Sequence, residues 1–199
     1  METMLGIQLF IRDKQSIRLE NNTAQDIKKM LMNGELDVIF TVWYDVEGLE
    51  TVPYHHKYLG ECPLEVCMRN TNPLAKKETL TIADLRSSDF IAISPLQTPS
   101  YTQMLKNLCA PYGFTPNFTC YTSSAHSLTI NLISDNDVFI CDKFFRDYQT
   151  EHLCYKPLEN TKSGFALCWR KDNHKPESGL FIKETLKYLE NNPFPIGIG

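Results

Sequence analysis

The chain has 199 residues, 42% hydrophobic and 22% charged, with a formal net charge of −4 and a pI near 5.7. That length allows one domain or two small ones with a real core. The acidic balance and the lack of a lysine or arginine stripe exclude a surface that grips nucleic acid by itself. No apolar run reaches the roughly 20 residues of a membrane span. No secretory leader is read at the start, so the seven cysteines are expected as reduced thiols in a cytoplasm.

In chain order, Met1, Met4, Leu5, Leu9 and Phe10 fall on one side of a predicted helix over residues 1–12. Residues 16–20 alternate polar and apolar, the period of a half-covered strand. Asn21-Asn22 turns the chain, and Thr23 with Asp26 forms a capping box. Ile27, Met30 and Leu31 then give a helix its apolar stripe, and Gly34 closes it. Residues 38–43 are apolar except Thr41, as in a strand covered on both faces of a parallel sheet. This strand–helix–strand unit is a βαβ crossover. Residues 45–48 read as a turn, and 49–58 show no clean period.

Further on, residues 64–68 form a short strand, 70–75 a loop, and Thr81 caps a helical turn over 82–85. Residues 90–93 are a buried strand, and 94–100 the longest turn-rich loop. Ser100 precedes a helix bearing Tyr101, Met104, Leu105 and Leu108 on one face, closed by Pro111 and Gly113. A strand over 118–121, a helix marked by Ala125, Leu128, Leu132 and Ile133, a turn over 134–137 and a strand over 138–141 follow. A last strand spans 165–169. Pro176 opens a last helix with the stripe Leu180, Phe181, Leu186 and Leu189, ended by Asn191-Asn192-Pro193. Alternation of strands and helices predicts the α/β class. It also predicts two subdomains facing across a cleft, residues 1–64 with 168–199 and residues 65–167.

Ligands of open α/β sheets bind beyond the carboxyl ends of strands, near helix N-termini. The candidates there are Thr23, Thr41, Trp43, Ser94, Pro95, Gln97, Ser100, Ser123, Ser124 and His126. Thr23, Ser123 and Ser124 are equally good helix caps, His126 reads also as a solvated histidine, and Trp43 as hinge packing. Catalysis finds no constellation. His55-His56, His126, His152 and His174 lack metal-ligand spacing, no Gly-x-Ser-x-Gly elbow occurs, and no cofactor motif is present. Cys62 and Cys67, five apart, point to opposite strand faces, against a redox switch.

Several motifs occur in one register. They are Leu19-Glu20-x-x-Thr23, Ile27-x-x-Met30-Leu31-x-x-Gly34-Glu35-Leu36-Asp37-Val38, Asn72-Pro73-Leu74-Ala75 and Leu80-Thr81-Ile82-Ala83-Asp84-Leu85. The helix–turn–strand over 128–141 and Leu167-Cys168-Trp169-Arg170-Lys171 complete the set. Together they resemble the effector-binding domain of LysR-type transcriptional regulators, over nearly the whole chain. Two departures stand out. Ser134-Asp135-Asn136-Asp137 replaces the family's Gly-x-Gly turn, with Asn or Asp expected to take positive φ. The winged helix-turn-helix DNA-binding domain and the first strand of the effector domain are not seen. The tail over 195–199 has the look of such a strand and is expected either to fill that position or to be a loose terminus.

The resemblance implies two Rossmann-like subdomains with a ligand cleft between them, a type II periplasmic-binding-protein-like fold. It implies a cytoplasmic, non-enzymatic sensor of a small-molecule effector, without cofactor or metal and without membrane contact. DNA would be bound only through an N-terminal domain. The implied assembly is a homodimer or homotetramer, with residues 1–12 and 16–20 set against residues 113–121 or 125–133 of a partner. The alternative of the same architecture is a periplasmic-type solute-binding protein, which requires export.

Overall fold

The computed structural model describes residues 22–46, 49, 53–123, 127–143 and 151–192. The predicted helix over 1–12, the strand over 16–20 and the tail lie outside them. The described elements are α1 (Ala24–Met32), β1 (Val38–Val42), α2 (Trp43–Val46), β2 (Tyr54–Cys62), β3 (Leu64–Arg69), β4 (Asp89–Ile93), α3 (Pro99–Cys109), β5 (Asn117–Thr122), β6 (Asp137–Asp142), β7 (Leu153–Pro157), β8 (Ser163–Arg170) and α4 (Pro176–Asn191), with short 3-10 turns between. The chain divides into two compact units, Met1–Glu61 with Gly164–Gly199, and Cys62–Ser163.

In the first unit a three-stranded sheet has the order β1-β8-β2. The central β8 is the most buried strand of the three, and β1 pairs with it antiparallel, Val38 opposite Trp169 and Val42 opposite Phe165. The parallel partner expected for β1 falls in residues 16–20, outside the described residues. Leu31, Ile39, Val46, Leu49, Ala166 and Cys168 form the buried core, with Ile27, Leu36, Trp43 and Tyr54 packed on it. α1 starts as its sequence dictates. The Thr23 hydroxyl accepts from the Asp26 amide at 3.2 Å and donates to its carboxylate at 2.7 Å, and Gly34 leaves the helix at φ +75°.

Three readings are corrected here. The strand expected through residue 43 stops at Val42, and Asp45 and Val46, expected in a turn, belong to α2. The cause is long-range. Asp45 is drawn inward to Lys28 on α1, Nζ to Oδ1 3.0 Å, and Trp43 seats its ring on Gly164. A Cβ at Gly164 would lie 2.7 Å from that indole and 2.4 Å from the Gly60 carbonyl. Residues 54–62, with no readable period, form β2, an outer strand of this sheet with His55, His56, Lys57 and Tyr58 exposed. In α4 the helix holds but not its stripe. Ser178 and Thr185 are buried, whereas Leu180 is 55% exposed.

The second unit carries a mixed five-stranded sheet, β5-β4-β6-β3-β7. β4 runs parallel to β5 and β6, and β3 runs antiparallel to β6 and β7. Its core includes Cys67, Ile91, Leu128, Leu132, Phe139 and Cys141. α3 is anchored from within, the Tyr101 hydroxyl donating to the Ile140 carbonyl at 2.6 Å. The helix expected from Ala125 to Ile133 is, among the described residues, a 3-10 turn over Thr129–Asn131. Leu128 and Leu132 reach the core, but Ile133 is 77% exposed. The helix is cut short because the Asp137 carboxylate accepts the Ile133 and Ser134 amides at 2.8 and 2.6 Å. The turn after it therefore needs no positive φ, contrary to expectation. Among the described residues Asn160 is the sole non-glycine with positive φ. β7 was not expected at all.

Candidate functional site

The strongest convergence of predicted site residues lies in the second unit, where the parallel strands β4 and β5 end together. The Ser94 amide donates to the Thr122 carbonyl at 2.8 Å, so Ser94 and Ser123 leave the sheet side by side. The Ser94 carbonyl then accepts the amides of Gln97 and Thr98 at 2.8 and 3.0 Å, folding the loop into a tight turn. The Ser94 hydroxyl accepts the Leu96 amide at 3.3 Å. Pro95 is exposed, Gln97 half-buried, and Leu96 projects, 81% exposed.

α3 begins at Pro99, so Ser100 lies inside its first turn rather than before it. Proline suits that place because the first amide of a helix has no partner within it. The residue before it, Thr98, is only 7% exposed, and its hydroxyl makes no capping bond. Sequence reading passed over Thr98; only its tertiary burial singles it out. Ser124 and His126 lie outside the described residues.

In the first unit the candidates separate. Thr23 spends its hydroxyl on Asp26 in both directions. Trp43 spends its one donor on the Phe165 carbonyl at 2.8 Å and packs at a tilt against Tyr58, 4.9 Å between ring centres. Thr41, 5% exposed, donates to Asp45 at 3.4 Å, and Asp45 pairs with Lys28. This buried Thr41–Asp45–Lys28 relay was missed because its charges stand 17 residues apart and neither belongs to a motif. A shallow cavity of about 230 Å³ lies elsewhere in this unit, lined by Asp37, Arg170, Asp172, Asn173 and Lys175 among others. None of the predicted residues lines it. Its charges satisfy one another, Lys175 with Asp37 at 2.9 Å and Arg170 with Asp172 at 2.7 Å.

The chemistry at the ends of β4 and β5 is hydroxyls, peptide groups and one projecting leucine. It suits holding a small polar molecule. Among the described residues, no group of three or more His, Cys, Asp or Glu is placed to hold a metal ion, and no helix is long and apolar enough to cross a membrane. Cys62 ends β2 and Cys67 lies in β3, both buried. Burial pushes their thiols up to about 11 and about 12.

The chain belongs to the LysR substrate-binding-domain family, whose pattern matches residues 8–189. Its α/β architecture is that of the effector-binding domains of LysR-type transcriptional regulators, the type II periplasmic-binding-protein-like fold. Among individual relatives, the HTH-type transcriptional regulator AlsR of Bacillus subtilis (strain 168) is 22% identical over 175 residues, 83% of this chain and 54% of AlsR. The chain thus spans about half the length of that regulator. The effector-binding domain of QuiR in complex with shikimate superposes with a TM-score of 0.72 at 17% identity, covering 85% of this chain and 79% of that one. Full-length CbnR complexed with its target DNA gives a TM-score of 0.68 at 14% identity, covering 83% and 57%.

Proposed function

We propose that this domain senses a small-molecule effector and passes its occupancy to transcription through subunit arrangement, DNA being read by another domain of the regulator. The observation that carries the reading is the joined end of β4 and β5. There the Ser94 amide is bonded to the Thr122 carbonyl and the Thr98 amide to the Ser94 carbonyl, with α3 starting at Pro99 beside them, which supports a polar ligand site. QuiR, of the same fold, carries shikimate, which favours a small hydroxylated or carboxylated guest. The ligand is taken to contact both units and to favour one arrangement of them, shifting a pre-existing population. No catalytic step is assigned. A thermal-shift screen of small carboxylates, amino acids, amides and aromatics tests the reading, because a guest that binds only the folded state raises its melting temperature by mass action. A screen in which nothing shifts the midpoint at millimolar concentration overturns it.

Self-association is the second part of the proposal. Tyr121, Ile130 and Ile133 are 50%, 76% and 77% exposed and fall on the segments expected to face a partner subunit. Large apolar side chains exposed on those segments support a surface that a partner subunit covers. Replacing Ile130 and Ile133 together by aspartate is expected to convert a dimer to monomer in light scattering at tens of micromolar, with the melting temperature of the monomer fold nearly unchanged. A wild-type chain that is monomeric at high micromolar concentration contradicts it.

A further inference from the structure

We propose that β2 of the first unit is a docking edge for an extended acidic segment of a partner protein, one that adds itself as a strand and alternates carboxylates with apolar side chains. β2 (Tyr54–Cys62) is the terminal strand of its sheet among the described residues. Its run His55–Tyr58 is exposed at every position. Side chains of a strand point alternately to the two faces, so neither face is covered there. A strand bare on both faces, whose outer edge meets no described strand, presents its backbone for pairing. Adding a strand to such an edge is a recurrent way of binding an extended peptide. Leu59 is buried and Gly60 turns to φ +73°, which limits the regular edge to Tyr54–Leu59.

The chemistry of the occupant follows from the two faces. His55 and Lys57 share one, where the His55 ring packs against Trp169, 5.6 Å between centres. Tyr54, His56 and Tyr58 share the other, in a row of rings 5.7 and 5.0 Å apart that Trp43 continues at 4.9 Å. Residues 53–60 carry His55, His56 and Lys57 and no carboxylate, in a chain of net charge −4. Lys171 is exposed at the start of β2, its amide donating to the Pro53 carbonyl at 3.0 Å. A second copy of this chain is the wrong partner. β2 paired antiparallel with itself about His56 sets the basic His55 and Lys57 opposite each other twice, and like charges so placed repel. An acidic strand gains where the copy loses. A paired strand keeps the same period of two, so its carboxylates fall beside His55 and Lys57 and its alternate apolar residues beside the aromatic row.

Fluorescence anisotropy at low ionic strength tests this with a fluorescein-labelled octapeptide alternating glutamate and valine. The controls are its lysine–valine counterpart, a peptide of the same composition with glutamates and valines in separate blocks, and an oligothymidylate of equal charge. Expected is binding of the alternating acidic peptide at least tenfold tighter than of all three, with hydrogen exchange slowing at alternate amides of residues 55–58. The double variant His55→Glu with Lys57→Glu is expected to weaken that peptide tenfold or more and to bind the lysine–valine peptide instead. Its melting temperature should hold, because both side chains are exposed. An edge that serves only to keep other strands away would bind none of the peptides, before or after the charge exchange. Absence of binding up to millimolar peptide, equal affinity for the block peptide or the oligonucleotide, or unaltered affinity in the variant overturns the proposal.

Discussion

Asp45 shows how far a single residue can depart from what its neighbours in sequence suggest. In Asp45-Val46-Glu47-Gly48 it looks like a turn former, yet it is 1% exposed and holds Lys28, itself 13% exposed, at 3.0 Å. The pair is weak evidence for stability, because desolvating two charges offsets most of their attraction. Removing one partner is a different matter, since it strands the other charge in the core. Asp45→Ala is therefore expected to destabilise the first unit by about 3 kcal/mol. The double change Lys28→Met with Asp45→Leu should recover most of that loss. Both tryptophans of the chain, Trp43 and Trp169, lie in this unit, so urea unfolding followed by indole emission reads it selectively. A single variant within 0.5 kcal/mol of wild type, the range of ordinary surface changes, would show that Lys28 finds water when its partner is gone.

At the scale of elements, the turn between Leu132 and β6 replaces backbone freedom with side-chain hydrogen bonds. The Asp137 carboxylate takes two amides. Asn136 donates to the Ser87 carbonyl and to Asp89, each at 2.9 Å, and Asn117 holds the other Asp89 oxygen at 2.7 Å. Asp137→Ala leaves the Ile133 and Ser134 amides without their acceptor and should cost about 2 kcal/mol. Hydrogen exchange checks it, with protection falling first at those two amides. Unchanged protection there would mean that the backbone closes the turn unaided.

The same contrast explains what could be read beforehand. β4, β6 and β8 were legible because central strands carry apolar runs, and β1, at the end of its described sheet, because all of its residues but Thr41 are apolar. β2 was not, since its exposed His55, His56 and Lys57 obey no alternation. β7 was not, since all five of its residues are half-buried. The loop from Ser94 announced itself through its turn residues. Thr98 did not, because its distinction is burial at the mouth of α3, a property of the folded chain alone.

Across the whole molecule, the seven cysteines are free thiols spread over both units, and they set an alkaline limit on stability. Burial pushes Cys62 and Cys109 up to about 11, and Cys67 and Cys168 up to about 12. Each is raised above its ordinary value of 9.0, so the folded chain keeps protons that the unfolded chain gives up. The stabilisation is fully present below about pH 9 and is lost as pH rises towards about 11 to 12. Because the thiolate is the reactive form, the native protein at pH 8 should react slowly with Ellman's reagent. The half-buried Cys120 and Cys154 should react first, and all seven should titrate in urea. Four or more thiols reacting rapidly in the native protein would mean that these strands open readily, and the alkaline decline in stability would then begin below pH 9.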